Sequence, residues 1–154
     1  MSMKVAAETI AEQEYWLKPM EFSLPAGLIG IPEARRLELI YNPDELPLMW
    51  LRSLDNRALG FIVVEPQGLV PGYTIEMNDD DAERLGIERA DDAFLLNVVN
   101  FDPDEPECAT VNLIGPIVVN RRTLVGRQII IANFADYSSR HPLLSQETAG
   151  AGDR

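Results

Sequence analysis

The chain of 154 residues is poor in the residue types that most site chemistry requires, with one histidine, His141, and one cysteine, Cys108. A lone cysteine cannot close an internal disulfide, which excludes a secreted disulfide scaffold. A zinc site would have to draw on both residues and on carboxylates, and the close paired spacing of zinc motifs is missing, so no metal and no cofactor is expected. Cys108 and His141 could form a nucleophile and base only by meeting in space. However, Cys108 follows Asp104-Glu105-Pro106-Glu107, a setting that raises a thiol pKa and works against that role. The Gly-x-Ser-x-Gly elbow, the phosphate loop and the dinucleotide fingerprint are also missing. The run Asn78-Asp79-Asp80-Asp81 lacks the sixth-position glycine and twelfth-position glutamate of an EF-hand loop, and helix capping accounts for it more simply. No catalytic residue is assigned, and the chain is not expected to be an enzyme.

Basic residues are scarce: 13 Lys and Arg stand against 25 Asp and Glu, a formal charge of -12. Affinity for DNA or RNA comes mainly from cations that neutralise phosphates, so direct nucleic-acid binding is not expected and a basic protein partner is favoured. The charge is also uneven: residues 1 to 110 hold 22 acidic and 8 basic side chains, whereas residues 111 to 142 hold four arginines and Asp136. Acidic stretches at Asp79 to Asp92 and Asp102 to Glu107 are natural landing zones for a basic protein, against the simpler reading as a solvated surface. Long apolar runs are the third lack. Before Glu8 only Val5 to Ala7 is apolar, too short for a signal-peptide core, and no run approaches the roughly 18 to 20 residues that span a bilayer. The expected compartment is the cytoplasm.

What the chain does have is enough apolar content, 46%, for one globular core. Residues 1–20, rich in Ala and Glu and stopped at Lys18-Pro19, read as an N-terminal extension with a marginal helix. Residues 21–144 read as the domain, and 145–154 as a loose tail. Short apolar runs rich in Ile, Val, Leu, Phe and Tyr predict strands at 36–41, 48–52, 59–65, 73–77, 93–101, 109–114, 117–120 and 127–132. Turn signals such as Asn42-Pro43-Asp44, Pro66-Gln67-Gly68 and Asp102-Pro103-Asp104 separate them. Alternation puts Ala109, Val111 and Leu113 on one face, while the end of 59–65 lacks alternation and predicts burial on both faces. One helix of about two turns is predicted after Asn78, with three aspartates in its first turn and Gly86 closing it. The fold class is all-β in the main: an antiparallel, β-barrel-like single domain with one or two short helices.

Several segments, taken in order, resemble the flagellar assembly factor FliW family. They are Gly27-Leu28-Ile29-Gly30, Leu48-Met49-Trp50-Leu51-Arg52-Ser53-Leu54-Asp55, Phe61-Ile62-Val63-Val64-Glu65-Pro66, Leu95 to Val99, Asn112-Leu113-Ile114-Gly115-Pro116-Ile117-Val118-Val119-Asn120, Gly126-Arg127-Gln128 and Tyr137-Ser138-Ser139-Arg140-His141-Pro142-Leu143. The likeness runs from about Phe22 to Leu143, with Ile31-Pro32 in place of a usual aromatic and Gly115 where Ala is common. The resemblance implies a non-catalytic cytoplasmic protein that binds two partners in alternation. One is flagellin before export, and the other is CsrA, the small RNA-binding regulator that represses flagellin mRNA. A ligand-binding barrel or an enzyme of unknown activity is the alternative. Partner-binding candidates each carry a structural reading as well. Trp50 is a core residue or an interface anchor. Ser53 and Asp55 form a turn or a contact, and Asn112, Pro116 and Asn120 pin a Gly-Pro turn or face a partner. Tyr137, Arg140 and His141 lie in an extended segment, in which Arg140 pairs within the fold or with another chain.

Overall fold

In the computed structural model the described residues are 2–6, 20–66 and 69–143. The expected tail, residues 7–19 and Gln67-Gly68 of one predicted turn lie outside them. The elements in chain order are β1 Ser2–Ala6, β2 Met20–Ser23, β3 Arg36–Ile40, β4 Met49–Ser53, β5 Gly60–Val64, β6 Thr74–Asn78, α1 Asp79–Leu85, β7 Ala93–Asn100, β8 Thr110–Val111, β9 Ile117–Asn120, β10 Gly126–Gln128 and β11 His141–Pro142. Nine of the strands make one antiparallel sheet, whose main path runs β10-β9-β7-β5-β4-β3-β2, with β8 and β11 joined to it through β7. The sheet is barrel-like without being a closed barrel. Among the described residues its two edges meet at one isolated parallel bridge, Ser23 to Val125, where the Ser23 amide donates to the Leu124 carbonyl at 3.0 Å.

Period-two alternation explains the inner face. Leu37 and Leu39 of β3, Met49 and Leu51 of β4 and Phe22 of β2 are buried together with Phe94, Leu96, Ile117 and Val119. Strand β7 is buried on both faces, and its other side, Ala93, Leu95 and Val99, joins a second cluster with Ile75, Met77, Leu85, Val111 and Leu113. Each fully buried aliphatic or aromatic side chain of this kind contributes about 1.5 to 3 kcal/mol. Val63 and Val64 fall into different clusters, which is why the end of β5 shows no alternation. Ala109, Val111 and Leu113 share one cluster, the face predicted for them.

Helix α1 begins after Asn78 and ends at Gly86, which sits at φ +69° in the left-handed region. The Asn78 side chain makes no capping bond, so Asn78 holds the N-cap position through its extended backbone alone. Two predicted strands are shorter than expected. The run 109–114 is cut to β8 because the Asn112 side chain accepts from the Ile114 and Gly115 amides, both at 3.0 Å, and turns the chain. The run 127–132 is cut to β10, beyond which the Ile129 and Ile131 amides reach the Pro116 and Ile114 carbonyls outside the ladder.

The N-terminal reading needs a correction. Ser2–Ala6 is a strand, not part of a marginal helix, and pairs antiparallel with β6 from Ser2 opposite Asn78 to Ala6 opposite Thr74. The helical leaning of an alanine- and glutamate-rich stretch loses here to backbone pairing, since an open β6 edge supplies hydrogen bonds that a short isolated helix cannot match.

Candidate functional site

The segments that carry the family likeness converge on one face. Between Leu24 and Ile31 the chain makes a tight loop in which the Leu28 and Ile31 backbones bond each other and Gly27 and Gly30 hold φ of +73° and +85°. A Cβ on Gly27 would collide with the backbone of Pro32, so only glycine fits. The loop lifts Ile29 into solvent at 58% exposure. Gln128 then ties two segments together: its Oε1 accepts from the Ile29 amide at 2.8 Å and its Nε2 donates to the Gly115 carbonyl at 2.9 Å. Around this bridge lies a polar hollow of about 250 Å³, lined by Ile29, Phe61, Asn112, Gln128, Ser139 and Arg140 among others.

A larger groove of about 650 Å³ adjoins it, with walls that include Leu48, Trp50, Phe61, Ile62, Val98 and Phe101. Phe61, Val98 and Asn100 line both hollows, which therefore share a wall. The groove opens where β5 and β7 part: their ladder ends at the pair Ile62 and Val99, while along its other edge β7 goes on to pair with β8 at Val99 and Asn100. Trp50 and Phe101 remain 46% and 39% exposed. Its lining takes Glu45 and Leu48 from one acidic turn, Asn42 to Leu48, and Asn100, Phe101 and Pro103 from another, Asn100 to Glu107; the two turns hold six carboxylates and no Lys or Arg. Their field is felt by Cys108, whose thiol pKa is raised by local desolvation and then by the charges of Glu105, Glu107 and Asp102. Arg140 lines the polar hollow.

The candidate residues divide into those that hold the face and those that form it. Ser53 is fully buried, and its Oγ accepts from the Asp55 and Asn56 amides at 3.2 and 3.1 Å, the predicted turn role. Asp55 pairs with Arg36 at 3.3 Å on the surface. Asn120 is also fully buried: Nδ2 donates to the Leu85 carbonyl at 2.8 Å, and Oδ1 accepts from the Arg122 and Thr123 amides. Burial leaves Ser53 and Asn120 no side-chain surface to offer a partner. Pro116 is buried, with its carbonyl taken by the Ile129 amide. Tyr137 packs edge-on against Tyr73 and its hydroxyl accepts from the Thr74 amide at 3.0 Å. Burial pushes the Tyr73 phenol up, and that hydroxyl donates to the Leu113 carbonyl.

Two expectations change. Trp50 does not pack into the core but stands exposed in the groove wall, where Nε1 donates to a Glu45 carboxylate at 3.3 Å. Arg140 finds no acidic partner for its guanidinium among the described residues, while its amide donates to the Ser138 hydroxyl. His141 enters β11 opposite Val111. Neither His141 nor Cys108 lines either hollow, and among the described residues no group of His, Cys, Asp and Glu is placed to hold a metal ion. Ile29, Phe61 and Phe101 are groove and hollow residues that sequence reasoning does not single out. Only Phe101, a lone aromatic before an acidic Pro-containing turn, carries a signal.

A curled antiparallel sheet with two filled cores, one short helix and adjoining hollows open at the surface defines a small barrel-like β-protein. The chain matches the family described as FliW protein over residues 4–143. It is 35% identical to the flagellar assembly factor FliW of Thermotoga neapolitana over 126 residues, covering 82% of this chain and 83% of the relative. It is 38% identical to that of Geotalea uraniireducens over 120 residues, covering 77% and 71%. A crystal structure of the flagellar assembly factor FliW superposes with a TM-score of 0.70 at 30% identity, covering 80% of this chain and 84% of the other. This chain belongs to the FliW family. No helix among the described residues is long and apolar enough to cross a membrane.

Proposed function

We propose that this protein is a non-catalytic cytoplasmic factor of flagellar assembly that binds CsrA, relieves repression of flagellin mRNA, and binds flagellin in a partner switch. The observation that carries the reading is the match to the FliW family across almost the whole fold, residues 4–143. The chemistry of the face supports it. Aliphatic and aromatic walls, three side-chain amides, a hydroxyl and one arginine can bind a protein segment, and the strongly acidic balance suits a partner whose own surface must be basic to hold RNA. The protein thus acts on RNA through the regulator that it occupies.

The test is calorimetric titration with purified CsrA and purified flagellin from the same organism, separately and in competition. Binding of each at micromolar affinity or tighter is expected, with one partner weakening the other. The reading fails if neither protein binds.

A further inference from the structure

The polar hollow beside the Gly115-Pro116 turn offers hydrogen-bond donors and no acid. In a chain with 25 Asp and Glu its lining contains neither, and its one charged side chain is Arg140, whose guanidinium has no acidic partner among the described residues. Two side-chain amides line the same hollow, and their bonds fix which atom is which. Asn112 Oδ1 accepts from the Ile114 and Gly115 amides, so its Nδ2 turns the other way, and that nitrogen has no partner among the described residues. Gln128 Oε1 accepts from the Ile29 amide, and Nε2 donates one hydrogen to the Gly115 carbonyl and keeps a second to give. Both nitrogens border one small space: a Cβ on Gly115 would stand 3.2 Å from Asn112 Nδ2 and 3.4 Å from Gln128 Nε2. The missing side chain of Gly115 keeps that space open.

Donors of this kind select an anion, and a single cation among them selects a single charge. A carboxylate carries one charge and two acceptor oxygens, enough to take the guanidinium and both amides. A phosphate dianion would bring a second charge into a strongly acidic chain with no second cation in the lining, and a basic group would meet Arg140. Leu28, Phe61 and Val98 make much of the remaining wall, so the group that carries the carboxylate must be apolar. At about 250 Å³ the hollow is smaller than the roughly 300 to 1,000 Å³ of pockets for drug-sized ligands, which limits that group to a short aliphatic chain. We propose that the hollow over Gly115 is a binding site for a small aliphatic carboxylate, held by Arg140, Asn112 Nδ2 and Gln128 Nε2. The site goes beyond the reading of the protein as a partner of CsrA and flagellin, and stands or falls without it.

The test is an NMR titration of the full chain labelled with nitrogen-15, with isovalerate as probe at constant ionic strength, read at the side-chain amide signals of Asn112 and Gln128. Both signals are expected to shift saturably, with half-saturation at millimolar isovalerate. The neutral isostere isovaleramide should bind at least tenfold more weakly, because it offers no charge to Arg140. Arg140→Gln, at an exposed position, is expected to weaken isovalerate at least tenfold. Gly115→Ala, at a glycine without a positive φ, is expected to weaken it at least fivefold by filling the space between the two amides. Acetyl-Ala-Leu tells the two sources of such a carboxylate apart: tighter binding than isovalerate assigns the site to a chain terminus, and weaker binding to a free acid. The proposal is overturned if isovalerate gives no saturable shift, if sodium chloride alone reproduces it, or if isovaleramide or Arg140→Gln comes within twofold of the isovalerate and wild-type pair. Thermal melts of each variant confirm that the comparison is between folded proteins.

Discussion

Asn120 offers the sharpest separation of a structural role from a contact role. Its side chain joins the turn after β9 to the end of α1: Nδ2 donates to the Leu85 carbonyl at 2.8 Å, while Oδ1 accepts from the Arg122 and Thr123 amides at 2.8 and 3.1 Å. In Asn120→Ala the Leu85 carbonyl loses its side-chain donor within a residue that is 6% exposed, a cost of about 1 to 3 kcal/mol for a buried polar group. The Arg122 and Thr123 amides lie near solvent and recover water, so the turn adds about 1 kcal/mol. Together the loss is about 3 kcal/mol, and for a chain of this size each kcal/mol moves Tm by about 2 to 4 °C, giving a drop of roughly 6 to 12 °C. Differential scanning fluorimetry reads the drop, and hydrogen exchange should show the amides of α1 losing protection first. CsrA and flagellin affinity of the folded fraction should not change. A Tm within 2 °C of wild type refutes the assignment, and so does a variant that keeps its Tm and loses a partner.

Asp92 accepts from the Arg89 and Glu88 amides, and those bonds hold its carboxyl below the ordinary 3.8. The unfolded chain therefore binds this proton more readily, and the stabilisation is complete above pH 3.8 and lost as pH falls through the lowered folded value. In urea denaturation the advantage of wild type over Asp92→Asn should be constant at neutral pH and vanish in strong acid; an advantage that grows on acidification contradicts this. The Cys108 thiol should alkylate with iodoacetamide more slowly than a cysteine in an unstructured peptide, and Glu105→Lys with Glu107→Lys should speed it, since two of the charges that raise its pKa are removed. An unchanged rate would mean that the acidic turn does not act on this thiol. Gly27→Ala should destabilise by more than about 1 kcal/mol, because a side chain at that positive φ is strained and also strikes Pro32, and chemical denaturation measures it.

The fold is legible in the sequence where one physical signal dominates. Alternation locates the inner faces of β3 and β4, and three aspartates with Gly86 locate α1. It is illegible where tertiary bonds override local preference. Nothing local in Ser2 to Ala6 shows that β6 leaves an edge for it to pair with, and although Asn112 reads as a pin of the Gly-Pro turn, nothing shows that its bonds cut the strand short at Val111. The candidate site divides in the same way. Ser53 is readable as a turn residue because its bonds run two and three residues along the chain. The groove is not, because it depends on a ladder between β5 and β7 ending at Ile62 and Val99, a long-range fact. Trp50 reads as core by strand composition and is exposed because it stands on the outer face of β4, between the inward-facing Met49 and Leu51.

Within the segments that carry the family likeness, some residues hold turns and others form the open face. Ser53, Asn112, Asn120 and Tyr137 spend polar atoms on backbone amides and carbonyls of their own chain. Replacing any one removes the side-chain bonds that hold its stretch of backbone. The face itself is built from Ile29, Trp50, Phe101, Arg140 and the carboxylates of two turns, none of which the core requires. A change there costs the fold little and alters what the face can hold. The acidic excess acquires a location on the same grounds. Total charge only disfavours nucleic acid, whereas six carboxylates in two turns that border an apolar groove give that part of the surface a local sign.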